Sequence, residues 1–505
     1  MSKKNPIIIG TFILTAAGLL TRIIGFFNRI YLSHLIGAKE LGIYQLIFPV
    51  YMIGYALCCH GIELALSQMI AAMKARREEM CMKQLIFVSS CFSVSFACFL
   101  SFLIYHYAAP ISVYFLREES CCVCLKLMSP ILPFSALRAC IHGYFMGMKQ
   151  TMVPASGQLV EQIARVTSIW VLATFFFGND TKTASLAVIG MAIGEIIATF
   201  YTFIGYRMNF RKNTLPEWRE LPANKTLLTS MLHHAVPLTG NKLSLTIISS
   251  LESILIPAML RYFYQDGTLA LEMYGVLTGM SLPFIMFPAT LTNSLSMMLL
   301  PAISEASAVK NQKMIERTTS KTIHFCLVIG IFALFLFFLY GKELGMTVFH
   351  NESAGDFLFM LAFLCPFLYL SSTCSSILNG LGQTKETFFY NLVSLMIRIL
   401  FIVGLVPRMG IQGYLWGLLA AYLLLVLLEI QRILKFTSIP FHPDESILLP
   451  LVLGVFSAVL AHMGEFYLGD FLPSRRILQL AFSCALLLFT YLAGILLLEK
   501  RKLVD

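Results

Sequence analysis

The sequence predicts an all-α polytopic membrane protein of about fourteen transmembrane helices, and three observations carry that prediction. Apolar residues make up 58% of the chain and charged residues only 13%, against about 25% charge in soluble domains, which must present a solvated surface. Mean hydropathy is +0.78, and the shortage of charge runs evenly through all 505 residues, so no sizeable soluble domain is expected between membrane segments. Apolar runs bounded by polar residues, Pro or Gly fall near 7–33, 41–66, 84–109, 121–147, 152–177, 184–207, 231–260, 270–300, 320–349, 355–380, 387–407, 411–434, 446–468 and 475–498. Each reaches the ~20 residues that cross a hydrocarbon core.

The first run follows Lys3-Lys4 and carries Arg22 and Arg29. It is too long for the h-region of a signal peptide, ~7–15 residues, and reads as an uncleaved span. Orientation follows from where Lys and Arg collect. One side, with the termini and the loops near 76, 149, 215, 312, 385 and 440, holds about 22 basic residues, against about nine on the opposite side, near 39, 117, 181, 266, 342, 408 and 473. This alternation places both termini in the cytoplasm and accounts for the net charge of +10 without a nucleic-acid partner.

The chain repeats itself at an offset of 233 residues. Gly147-Met-Lys-Gln150-Thr151 matches Gly380-Leu-Gly-Gln383-Thr384, Leu159-Val160 matches Leu392-Val393, Arg165 matches Arg398, and Pro133-Phe134 matches Pro366-Phe367. After a shorter connection, Gly190-xxx-Gly194 matches Gly413-xxx-Gly417. Parallel repeats of six helices predict two lobes related by an axis along the membrane normal. The expected division is an N-terminal lobe over 1–207, a cytoplasmic linker over 208–230, a C-terminal lobe over 231–435 and two additional spans within 446–499.

Ionisable groups inside a span are costly unless they meet a partner or a water-filled cavity. Thr11, Thr15, Gly18, Arg22, Gly25 and Arg29 form one helical stripe on the first span, suited to lining a polar cavity. The fifth span places Gln158, Glu161, Arg165 and Ser168 on one face, with Glu161 and Arg165 spaced for an intrahelical pair. The eleventh sets Asn391, Ser394 and Arg398 on the matching face and lacks the acid. Arg138 and His142 lie on the fourth span, Glu195 on the sixth, and Asn241, Lys242 and Glu252 on the seventh. This collection reads as an excess of buried positive charge, which suits an anionic substrate, because guanidinium forks bind phosphate bidentately. The bland reading of each cation is an interhelical pair, or snorkelling in the case of Arg29.

No HExxH, Walker A, GxSxG or paired CxxC arrangement occurs, so no catalytic residues, metal site or cofactor are expected, and an enzyme is not. The thirteen cysteines lie mostly within apolar runs and read as packed thiols; the Cys121, Cys122 and Cys124 cluster lacks a second ligand group. A small-cation exporter would want acids dominating its cavity. A non-transporting scaffold would leave the matched polar faces of the two repeats without a purpose.

The segment Thr21-Arg22-Ile-Ile-Gly25-Phe26-Phe-Asn28-Arg29, followed by Ile36-Gly37-Ala38 and Leu41-Gly42-Ile43-Tyr44-Gln45, resembles the opening of the stage V sporulation protein B family. That family stands with the MurJ-type lipid II flippases and polysaccharide exporters, in the superfamily that includes the MATE exporters. The Gly-x-Gly-Gln-Thr turn at 380–384 fits it too. The resemblance spans essentially the whole chain. It implies a flippase in the bacterial plasma membrane that moves a lipid-linked oligosaccharide by alternating access, the headgroup passing through a cationic cavity while the polyprenyl tail stays in lipid. Arg22 occupies the place of the family's essential arginine. The family's second arginine on this span falls on Asn28, with Arg29 beside it. Some relatives bind sodium with acids on spans seven and eleven; the eleventh span here has none, and no sodium site is expected. The candidate substrate-binding residues are therefore Arg22, Asn28, Arg29, Arg138, Glu161, Arg165, Asn241, Lys242 and Arg398. The implied partners are the lipid-linked glycan, membrane lipids and cell-wall synthesis enzymes. A MATE-like exporter of small molecules, or an exporter of another lipid-linked polysaccharide, remains the alternative.

Overall fold

The computed structural model describes residues 6–76, 78–175, 183–210, 224–437, 444–471 and 476–502. Every regular element among them is helical, as predicted. Eleven stretches are long and apolar enough to cross a membrane, or twelve if the bent pair Cys121–Met128 and Ile131–Gly147 is one span. Two features separate that figure from the fourteen expected. Residues Ile13–Ala75 count as one 63-residue stretch, although the chain turns inside it at Gly37, whose φ of 76° costs glycine little because it has no Cβ. The helix Met152–Phe175 is long enough, but its face of Gln158, Glu161 and Arg165 keeps it out of the apolar set. Large apolar side chains such as Phe102, Phe175, Leu400 and Phe489 stand exposed on these helices, as a lipid-facing surface requires.

By its contacts the chain divides into two compact units, Met1–Arg261 with Asp266–Gly275, and Tyr262–Gln265 with Val276–Asp505. The expected linker lies partly outside the described residues. The helix Asn224–Tyr264, which the repeat assigns to the second lobe, is joined by its contacts to the first unit. Its Leu227, Met231 and Ala235 share a core with Leu66 and Ile70, with Leu85, and with Ile141 and Phe145. Its far end is held by Arg261, which pairs with Glu118. Helix Pro6–Leu46 also packs in this unit. There Gly42 and Gly275 let two backbones touch; a Cβ at either would run into Leu271 O or Ala38 O.

In the second unit the helices Ala289–Ala308, Gln312–Phe349, Cys365–Gly380 and Ile411–Phe436 enclose a core of Leu299, Ile303, Ile315, Cys374, Ile377 and Val426. Two further helices, Leu449–Phe471 and Arg476–Lys502, pack on each other and on Gln312–Phe349. Tyr491 there donates to Val328 O at 3.0 Å.

The repeat seen in the sequence is repeated in the bonds. Arg76 N and Glu78 N bond to Ala72 O and Met73 O, and 233 residues on, Val309 N and Asn311 N bond to Glu305 O and Ala306 O. The helix ends at Gly147 and Gly380 close through matching bonds from Met148, Lys149 and Gln150, and from Leu381, Gly382 and Gln383. Lys149 and Gly382 take the left-handed conformation at φ 59° and 80°, which ends a helix by satisfying its last carbonyls. Gly147 lies against Ser67 and Ile70, and Gly380 against Leu300 and Ile303, again the same offset. Gln150 Oε1 accepts from Asn209 at 2.5 Å and Gln383 Oε1 from Arg432 at 2.8 Å. The shared Gln of the sequence motif thus has one task in both copies.

A polar cavity in the first unit

Three helices of the first unit converge on a buried ion network. Ile131–Gly147 carries Arg138, Met152–Phe175 carries Glu161 and Arg165, and Ala184–Phe210 carries Glu195. Gly190 and Gly194 bring the last two helices together, because a Cβ at Gly190 would strike Ile169 and one at Gly194 would lie 2.9 Å from Glu161 O. Arg138 Nη1 donates to Glu161 Oε2 at 2.7 Å and Nη2 to Glu195 Oε2 at 2.7 Å. Arg165 also pairs with Glu161, the intrahelical contact expected from their spacing. The four side chains expose 19% or less of their surface. Burial at this level is tolerable because each charge has an opposite partner within hydrogen-bond reach.

Beside the network is a cavity of about 340 Å³ lined by Thr21, Tyr55, Glu63, Arg138, His142, Gln158, Glu161 and Gln162. The glycines of the first-span stripe border open space. A Cβ on Gly18 would meet nothing within 4 Å, and one on Gly25 only Gln162 Nε2 at 3.9 Å. Thr21 rather than Arg22 supplies the lining. Arg22 is half-buried and makes no ion pair or hydrogen bond with a described residue. Asn28 is buried and Arg29 half-buried on the same helix.

The cavity therefore brings together Arg138 and Glu161 with Arg165 behind them, and Arg22 beside a lining residue. It does not include Asn241 and Lys242, which are exposed on Asn224–Tyr264. Arg398 belongs to the second unit, where its guanidinium lies 5.5 Å from the centre of the Tyr422 ring. The expected excess of cations is corrected here. Arg138 and Arg165 are matched by Glu161 and Glu195, and Glu63 adds a third carboxyl at the cavity wall. Sequence reasoning passed over Glu63 because it lies near the end of an apolar run, 41–66, where a single acid looks like a boundary. It also passed over Glu429, which is fully buried in the second unit and accepts from Ser375. All thirteen cysteines are free, and Cys124 faces Ser185 at 3.8 Å.

Polytopic helices, an internal repeat and a polar cavity beside buried ion pairs define a membrane transporter. The profile of the polysaccharide biosynthesis protein family matches residues 7–307, and the chain belongs to that family. The MatE profile matches residues 245–403. Stage V sporulation protein B of Bacillus subtilis (strain 168) is 25% identical over 440 residues, 86% of this chain and 84% of that protein. The lipid II flippase MurJ of the same organism is 20% identical over 438 residues, 81% of this chain and 79% of that one. A solved structure of lipid II flippase MurJ in an inward closed conformation has the same fold, with a TM-score of 0.72 and 16% identity over 98% of this chain and all of that one. These relatives are named as flippases or sporulation proteins, not as enzymes.

Proposed function

We propose that this chain is a flippase for a lipid-linked, polyprenyl-pyrophosphate oligosaccharide in the bacterial plasma membrane, working by alternating access. The cargo is a peptidoglycan precursor such as lipid II, used in cell-wall or spore-cortex synthesis. The observation that carries this reading is Arg22, a guanidinium within a membrane-spanning helix that no described residue neutralises. A cation in that position is expensive without a counter-charge, and a pyrophosphate supplies one in the geometry a guanidinium prefers. The name of one relative, lipid II flippase MurJ, supports the cargo class, and that of another, stage V sporulation protein B, the link to sporulation.

The same proposal includes fourteen spans, counting the bent pair as one, Met152–Phe175 as another and one on each side of Gly37, with both termini in the cytoplasm. It includes lobes over 1–207 and 231–435 joined by 208–230, and two added spans. Arg29, Asn28, Asn241, Lys242 and Arg398 belong to the substrate path, whereas Arg138, Glu161 and Arg165 hold the cavity wall in place. Cell-wall synthesis enzymes are proposed as partners at the outer face. The carboxyls of the cavity favour a second reading, an exporter of small molecules of the MATE kind.

The test is photo-crosslinking of a polyprenyl-pyrophosphate glycan to purified protein. Arg22→Ala should lose the crosslink while keeping its thermal stability. Retention of the crosslink by a folded Arg22→Ala protein would remove the main support for a pyrophosphate cargo.

A further inference from the structure

The ion pairs at the cavity of the first unit leave one carboxyl over. Arg138 and Arg165 are consumed by Glu161 and Glu195 through the three contacts described above. Glu63, on the helix Gly61–Ala75, is left facing the cavity and makes no ion pair or hydrogen bond with a described residue. Two further polar atoms of lining residues are buried without a hydrogen-bond partner, His142 Nε2 and Gln162 Oε1. His142 is itself buried. A lone carboxylate beside an amide oxygen offers acceptors, and buried acceptors are costly when nothing donates to them.

We propose that this pocket binds a primary ammonium group on the headgroup of the transported molecule, with Glu63 as its counter-ion and Gln162 Oε1 as a second acceptor. An ammonium carries three donors and one positive charge, which matches the acceptors present and the one lining carboxyl that makes no ion pair with a described residue. Arg138 is a poor counter-ion for an anion here, because its single positive charge already faces two carboxylates. The inference rests on the flippase reading and adds to it. The pyrophosphate is assigned to Arg22 and an amine to Glu63, so the protein selects amine-bearing glycans over those without one.

The experiment uses the full chain in vesicles with two probes: a polyprenyl-pyrophosphate disaccharide-peptide with a free side-chain amine, and the same molecule with that amine acetylated. The wild type should move the free-amine probe about tenfold faster at limiting concentration, as expected for one charge-assisted contact. The ratio should fall to about one in Glu63→Gln and remain well above one in Glu63→Asp. Thermal unfolding of each variant shows that it is folded. Equal handling of both probes by the wild type, with transport intact, overturns the amine site alone. A preference that survives in Glu63→Gln does the same. A wild type that moves neither probe overturns the flippase reading and the amine site with it.

Discussion

Arg138 is the side chain on which the first unit's polar interior turns, because among the described residues it alone joins two carboxylates from two helices. Removing it leaves Glu161 with Arg165 but strips Glu195 of the ion pair that balances it. We expect Arg138→Gln to cost about 3–5 kcal/mol, the range for stranding a buried charge, measured by thermal or denaturant unfolding in detergent. Arg165→Gln should cost less, since Glu161 keeps its bond from Arg138. Equal losses would mean that the two arginines share the load. Arg398 is the corresponding test in the other unit. It lies over Tyr422, a contact worth about 0.5–2 kcal/mol, and Arg398→Gln should weaken glycan binding while barely moving the unfolding temperature. Stability lost in step with binding would make Arg398 structural. The pairing of Glu161 with Arg165 was legible in the sequence because four residues separate them on one helix. The bonds from Arg138 were not, since linear spacing says nothing about which helices become neighbours. Glu63 was hidden for the same reason: only the fold shows that Arg138 and Arg165 are already paired with Glu161 and Glu195.

At the level of the helix, the two copies of the repeat are held by the same few close approaches. A Cβ on Gly147 would lie 2.7 Å from Ser67 O, and one on Gly380 2.9 Å from Ile303 Cβ. Gly147→Val and Gly380→Val should each destabilise by about 1–3 kcal/mol through overpacking. Their effects should be similar in size, as judged by unfolding of the two single variants. A harmless Gly380→Val beside a damaging Gly147→Val would show that only one copy depends on the close contact. This part of the fold was readable beforehand, because glycine and the glutamine of the shared turn are specified by local backbone geometry. The packing of helix Asn224–Tyr264 was not. Its repeat position points one way, and its apolar side chains Leu227, Met231 and Ala235 pack the other.

For the whole molecule, the distribution of Lys and Arg makes a topology that labelling can check. On a background lacking the native cysteines, single cysteines at 76 and 312 should react only from inside, and those at 117 and 266 from outside. Positions 181, 215, 440 and 473, which lie outside the described residues, extend the same test. Labelling of 215 from outside in intact cells would invert the scheme. The family and the class of protein were legible from the first span and from the repeat. The charge balance of the cavity was corrected by the structure, because neutralisation depends on three dimensions. The central claim, that a lipid-linked glycan is turned over between leaflets, is tested most directly by headgroup accessibility in vesicles holding the purified protein. Lipid II and a second polyprenyl-phosphate sugar are compared, with Arg22→Ala as the control. The account predicts that lipid II headgroups become accessible from the opposite side with the wild type, far more slowly with Arg22→Ala, and that the second sugar lags. Lipid II accessibility no greater than in protein-free vesicles, or equal with wild type and Arg22→Ala, would contradict it.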